Sequence, residues 1–165
     1  VGLLLGETPE LIAQGLVSYQ ASGMRQNIYE QDGYQIYADC YNASPDAMEA
    51  TLSVLGDMAG EGRRFAVLGS MLELGDYAEE GHRRAGRAAA QYADALYAYG
   101  PDAAAMVAGA REKGMEHAYA FDDQTALVAA LREDAKKGDA LLFKGSRGMR
   151  MERALAMFLG EEVEA

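Results

Sequence analysis

Residues 39–55, DCYNASPDAMEATLSVL, begin with an acid that closes an apolar run, pass through a short polar turn, and enter a segment whose apolar positions recur at helical spacing. Ser44 is of a type that caps a helix, and Pro45 suits its first turn. Strand, turn and helix in that order form the first half of a parallel crossover. The β-rich run RFAVLG at 64–69 supplies the second half. Downstream, the β-prone runs DALYAY at 94–99, HAYAF at 117–121 and DALLF at 139–143 alternate with helical patterns near 45–57, 78–92, 102–113, 124–136 and 149–159. That alternation predicts right-handed βαβ crossovers and a mostly parallel sheet covered on both faces. Upstream, QNIYEQDGYQIYAD holds two short β-prone runs joined through Gln31-Asp32-Gly33, a hairpin signal. The expected fold class is α/β, a doubly wound and mostly parallel sheet of about six strands with an antiparallel edge hairpin.

The 165 residues suffice for one ordinary domain, with half of them apolar and a quarter charged. Lys and Arg number 15 against 26 Asp and Glu, a net charge of -11 that is spread along the chain. A polyanion as main partner is disfavoured, so nucleic acid is not expected and any phosphate contact is local. No apolar run of about 18 residues occurs, and no basic segment leads into an apolar one, so neither membrane insertion nor export is expected. The single Cys40 cannot form an internal disulfide, which suits the reducing cytosol.

Thr8-Pro9-Glu10 has the N-cap, first-turn proline and first-turn acid of a helix running from about Pro9 to Tyr19, with Leu11, Ile12 and Leu16 on one side. The chain starts at Val1 rather than Met, and VGLLLGETPELIAQGLVSY has no capped beginning. The expectation is a piece of a longer protein, with the partner of this apolar face lying upstream. Isolated, the chain is expected to self-associate through residues 3–17. The terminal GEEVEA is expected to fray.

In an open parallel sheet, ligands gather beyond the carboxyl ends of the strands. That rule selects residues 39–44, 69–75, 100–101 and 144–148. KGSRGMRM, from Lys144, places glycines, Ser146, Arg147 and Arg150 between a strand and a helix, so backbone N–H groups and positive charge converge where a carboxylate or phosphate would fit. Asp39 can accept ribose hydroxyls or a metal-bound water, and Glu73, between apolar neighbours in LGSMLELGD, can meet a cationic group. His82 and His117 lack the spacing of metal ligands, and Cys40 has no catalytic partner. No G-x-x-x-x-G-K-[ST] occurs, so the chain lacks the loop that grips β and γ phosphates. GEGRRF at 60–65 resembles half of a dinucleotide fingerprint but precedes a strand, so it is set aside.

DCYNASPDAMEATLSVL, AVLGSMLELGDYAEEGH and KGSRGMRME, in this order and spacing, resemble the carboxy-terminal part of the Mur ligases, from about Arg25 onward. The resemblance implies a Rossmann-like third domain, covering 31–160, that swings over a central ATP-binding domain. Residues 1–30 would be the tail of that central domain and 161–165 an acidic end. It further implies a cytoplasmic bacterial enzyme that uses ATP and Mg2+, held mainly by the other domains, to join D-Ala-D-Ala to UDP-MurNAc-tripeptide through an acyl phosphate. On that pattern Arg25, Asp39 and Asn42 lie on the ATP side. Met71, Glu73, Lys144, Ser146 and Arg147 lie on the dipeptide side, and no complete catalytic set or metal site is expected in this chain. Two positions depart from the family: Ser44 stands where asparagine is common, and Ser70 where aspartate is frequent. A folylpolyglutamate or cyanophycin type of ligase, or a stand-alone nucleotide- or anion-binding module, are the competing expectations.

Overall fold

The computed structural model describes residues 3–17, 26–58 and 60–162. The helix predicted from Thr8 is α1 (Pro9–Val17), capped by the Thr8 hydroxyl, which accepts from the Leu11 N–H. Residues 18 and 19 and the Leu16 side chain lie outside the described residues, while Leu11 is exposed. β1 (Asn27–Gln31) and β2 (Tyr34–Asp39) form the expected hairpin. Asp32 and Gly33 take φ of 53° and 86°, the two left-handed residues of a type I′ turn.

The chain then alternates through α2 (Pro45–Asp57), β3 (Arg64–Gly69), α3 (Ala78–Tyr92), β4 (Ala95–Tyr99), α4 (Ala103–Glu112), β5 (Ala118–Phe121), α5 (Gln124–Asp134), β6 (Ala140–Lys144) and α6 (Met151–Leu159). Single 3-10 turns, Gly75–Tyr77 and Arg147–Met149, precede α3 and α6. The predicted elements match these within about two residues at each end, which is the usual fraying of such boundaries. The six strands lie in the order β1-β2-β6-β3-β4-β5, parallel except for the β1–β2 pair.

Alternate strand residues feed two cores. On one face Ala66, Leu68, Leu96, Ala98 and Leu142 meet Met48, Leu52 and Leu55 of α2, Ala85 and Ala89 of α3, and Met106 and Ala110 of α4. On the other, Ile36, Phe65, Val67, Tyr97, Leu141 and Phe143 meet Leu127 and Leu131 of α5 and Met151, Leu155 and Phe158 of α6. Every residue of β6 is buried, as a strand with a neighbour on each edge and helices on each face must be.

The amino-terminal edge of the sheet is closed by Asp139. Its carboxylate accepts from Arg63 N–H at 2.8 Å and Lys136 N–H at 2.7 Å, and its carbonyl from Gln35 N–H at 3.0 Å. The GEGRRF loop joins this edge, because a Cβ on Gly62 would lie 2.0 Å from the Gly138 carbonyl oxygen. Gly62 therefore serves backbone packing, at the end of the sheet opposite the strands' carboxyl ends.

The alanine-rich stretch between residues 85 and 110 has the packing role its composition suggests. A Cβ on Gly86 would lie 1.9 Å from the Met106 carbonyl oxygen, and one on Gly109 would lie 2.0 Å from that of Arg83. Gly86→Ala and Gly109→Ala are each expected to cost at least about 1–3 kcal/mol by forcing α3 and α4 apart. Gly60→Ala, with nothing within 4 Å of the added carbon, is the control, and urea denaturation midpoints give the comparison.

Candidate functional site

β6 sends its chain to α6 on one face, whereas its neighbours β2 and β3 send theirs to α2 and α3 on the other. Chains leaving adjacent strands in opposite directions open a crevice at their carboxyl ends. Here the crevice occurs twice, between β2 and β6 and between β6 and β3.

The β2/β6 crevice is built around a buried ion pair. Asp39 and Lys144 are register partners at the last positions of their strands. Lys144 Nζ donates to Asp39 Oδ2 at 2.5 Å and to the Asn42 carbonyl at 2.8 Å, and the lysine side chain is 1% exposed and the aspartate's 10%. Asp39 Oδ1 accepts from Gln26 N–H at 3.4 Å. Asn42 turns its own Oδ1 onto the Ala43 N–H at 2.9 Å, and the Ser44 hydroxyl accepts from Ala47 N–H at 3.3 Å, which is the predicted helix cap. Arg25, expected on the same side, lies outside the described residues.

Lys144, expected beside Ser146 and Arg147, lies at the border of both crevices, at the end of the central strand β6. Its donors are directed at Asp39 and Asn42, so it organises the first crevice rather than offering a free charge to the second. Cys40, beside it, donates its thiol to the Phe143 carbonyl at 3.3 Å. Burial, with the Glu152 and Asp39 carboxylates adding, pushes that thiol up to about 12, which removes it from nucleophilic chemistry.

The β6/β3 crevice has its two loops stitched together. Ser146 N–H donates to the Ser70 carbonyl at 3.3 Å, and the Ser146 hydroxyl accepts from Leu72 N–H at 2.9 Å. The loops meet through glycine, since a Cβ on Gly145 would lie 2.7 Å from Met151 Cγ and 3.1 Å from Gly69 Cα. Glu73 and Arg150, both exposed, adopt left-handed φ of 66° and 48°, so each of the two loops carries one strained residue. Met71 is 1% exposed, so its side chain belongs to the core and only its loop borders the crevice. Arg147 pairs with Glu152 at 3.0 Å while 62% exposed, and the second oxygen of Glu152 is buried without a hydrogen-bond partner. An anion arriving at Arg147 therefore competes with a pair that is open on the arginine side and only 23% exposed on the glutamate side.

Ser70 and His82 are side chains of this site to which residue-type reasoning gave no role. Ser70 is buried, and its hydroxyl accepts from Asp102 N–H at 3.1 Å, tying the end of β3 to the loop before α4. A serine does here what an aspartate could do only by burying a charge. His82 is fully buried, with Nε2 accepting from Met71 N–H at 2.8 Å and Nδ1 directed at the Ala78 carbonyl at 2.6 Å. Its position on the same helical face as Ala85, Gly86 and Ala89 was the available signal. Among the described residues, no group of three or more His, Cys, Asp and Glu side chains is placed to hold a metal ion, and no helix is long and apolar enough to cross a membrane.

A doubly wound sheet with two stitched crevices at its carboxyl edge defines an α/β ligand-binding domain. The chain belongs to the Mur ligase family: the family model described as Mur ligase, glutamate ligase domain, matches residues 24–147. It is 36% identical over 154 residues to the UDP-N-acetylmuramoyl-tripeptide–D-alanyl-D-alanine ligase of Bacillus subtilis, covering 92% of this chain and 34% of that protein. Among solved structures it resembles the MurF ligase of Thermotoga maritima in complex with ADP, with TM-score 0.79 and 33% identity over 97% of this chain and 35% of the other. MurF from Acinetobacter baumannii gives TM-score 0.82 and 29% identity over the same shares. The chain thus spans about a third of the length of the curated relatives it matches.

Two predictions concern the first crevice. Lys144→Met leaves a buried carboxylate uncompensated and is expected to cost about 3–5 kcal/mol, part of which Lys144→Met combined with Asp39→Asn restores, as a denaturation double-mutant cycle will read. For Cys40, the folded chain holds the thiol proton beyond the ordinary value of 9.0 up to about 12, whereas the unfolded chain releases it near 9.0. Stability should therefore be unaffected by this group below that range and fall as pH rises through it. Cys40→Ala should flatten the alkaline loss, measured as urea midpoint against pH.

Proposed function

We propose that this chain is the carboxy-terminal part of an ATP-dependent ligase that adds D-Ala-D-Ala to UDP-MurNAc-tripeptide in peptidoglycan synthesis, acting in the bacterial cytoplasm. The observation that carries the reading is that the family likeness spans both crevices, from before Asp39 to Arg147, rather than the scaffold alone. On this reading residues 1–30 come from the end of a central ATP-binding domain and cross into the present sheet as β1 at Asn27, 31–160 form the carboxy-terminal domain, and 161–165 are an acidic end. The exposed Leu3, Leu4, Leu5 and Leu11 support this division, because they suit a surface covered by the rest of the protein. In the isolated chain the same surface promotes self-association.

In the reaction, the γ-phosphoryl group of ATP passes to the tripeptide carboxylate, leaving ADP and an acyl phosphate. The free amine of D-Ala-D-Ala attacks the carbonyl carbon, and the C–N bond forms as phosphate departs with the C–O electron pair. Phosphate loop and Mg2+ belong to the central domain, so this chain contributes positioning. Asp39, held by Lys144, accepts ribose hydroxyls, with Asn42 lining the same side, and Arg25 has the role in ATP binding that the family pattern gives it. Ser146, Arg147 and the Met71–Glu73 loop border the dipeptide. Arg147 exchanges Glu152 for the dipeptide carboxylate, and Glu73 faces its ammonium group before deprotonation. Orientation of two bound reactants in this way is worth several orders of magnitude in rate.

The test is phosphate release by the full-length ligase with ATP and UDP-MurNAc-tripeptide. Turnover is expected with D-Ala-D-Ala and not with single amino acids, and Asp39→Ala should raise the KM for ATP by about tenfold or more. Turnover with glutamate on a folate acceptor would favour a folylpolyglutamate type of ligase instead. Nucleotide binding without ligation would favour a stand-alone binding module.

A further inference from the structure

Three consecutive backbone N–H groups follow β3, and each is taken by a different element. Ser70 N–H donates to the Tyr99 carbonyl at 2.9 Å, Met71 N–H to His82 Nε2 at 2.8 Å, and Leu72 N–H to the Ser146 hydroxyl at 2.9 Å. The next residue is the left-handed Glu73. His82 reaches the loop from α3, on one face of the sheet, and Ser146 reaches it from the end of β6, whose chain departs on the other.

His82 is fully buried, and with Nδ1 donating to the Ala78 carbonyl its acceptor nitrogen is the one that meets Met71. Asp102 Oδ2 lies 3.7 Å from that nitrogen, on the loop before α4, the same loop whose N–H binds Ser70. A buried imidazole whose acceptor serves a loop N–H leaves that N–H with no replacement when the ring is removed, and a buried unpaired donor is costly. The loop would then move toward water, carrying Glu73 with it.

On the ligase reading above, we propose that His82 is a positioning residue for the amine substrate. Through the Met71 N–H it fixes the 71–73 backbone against Ser146, so that the dipeptide meets one arrangement of Glu73 and Ser146 instead of several. The nucleotide side, organised by Lys144 and Asp39, does not depend on it.

The test uses the full-length ligase with His82→Phe, which keeps ring volume without an acceptor, and His82→Gln, whose amide oxygen can meet the Met71 N–H. His82→Phe is expected to raise the KM for D-Ala-D-Ala by about tenfold while the KM for ATP stays put, and His82→Gln to recover most of that loss. Equal changes in both KM values, or no advantage of Gln over Phe, would make His82 an ordinary core residue and overturn the proposal. If the unsubstituted enzyme shows no D-Ala-D-Ala-dependent turnover, the ligase reading fails and takes the named substrate with it. Hydrogen exchange at the Met71 amide separates the two, since it should accelerate in His82→Phe whatever the reaction, and unchanged exchange overturns the latch itself.

Discussion

β6 arrives late in the chain and lies between β2 and β3, and the rest of the molecule depends on that insertion. Without it the hairpin has no connection to the sheet, and α6 has no floor to cover. The strand is apolar until its last residue, where burial would leave a lysine uncompensated. Asp39, at the matching position of β2, resolves that conflict. The ion pair is therefore both a condition for closing the sheet and the centre of the first crevice, and a site built this way cannot loosen without cost to the fold.

The local pattern carried most of the architecture. Short apolar, β-rich runs, the Asp-Gly turn and the Ser44-Pro45 cap each have a mechanism confined to a few residues, so β1 to β6 and the main helices could be placed from sequence. The strand order could not, because parallel neighbours are chosen by tertiary packing rather than by local chemistry. Lys144 shows the consequence. Its residue type and glycine-rich surroundings suggested an anion receptor, but its partner lies 105 residues away and becomes its neighbour only once the β2–β6 register is known.

His82 escaped notice for a different reason. The question put to it was whether it had metal-ligand spacing, and the negative answer left it without a role. A histidine on the small-residue face of an amphipathic helix is buried, and a buried imidazole needs partners on both nitrogens. Asking which backbone N–H it could serve would have directed attention to the loop after β3. Arg147 and Glu73 were legible as loop residues, whereas the Glu152 pair and the left-handed backbone that define their availability belong to three dimensions.

The closure of the amino-terminal edge by Asp139 has an implication for change over time. That carboxylate and carbonyl clamp the entries of β2, β3 and β6 from the end opposite the crevices. The frame is thus pinned at one rim while the other carries the two crevices. Lengthening or recolouring the loops after β3 and β6 leaves the pinned rim untouched, so those loops can change in a lineage without reinventing the scaffold. A designer seeking altered selectivity has the same freedom, provided that Asp139 and the Lys144–Asp39 pair are kept as fixed points.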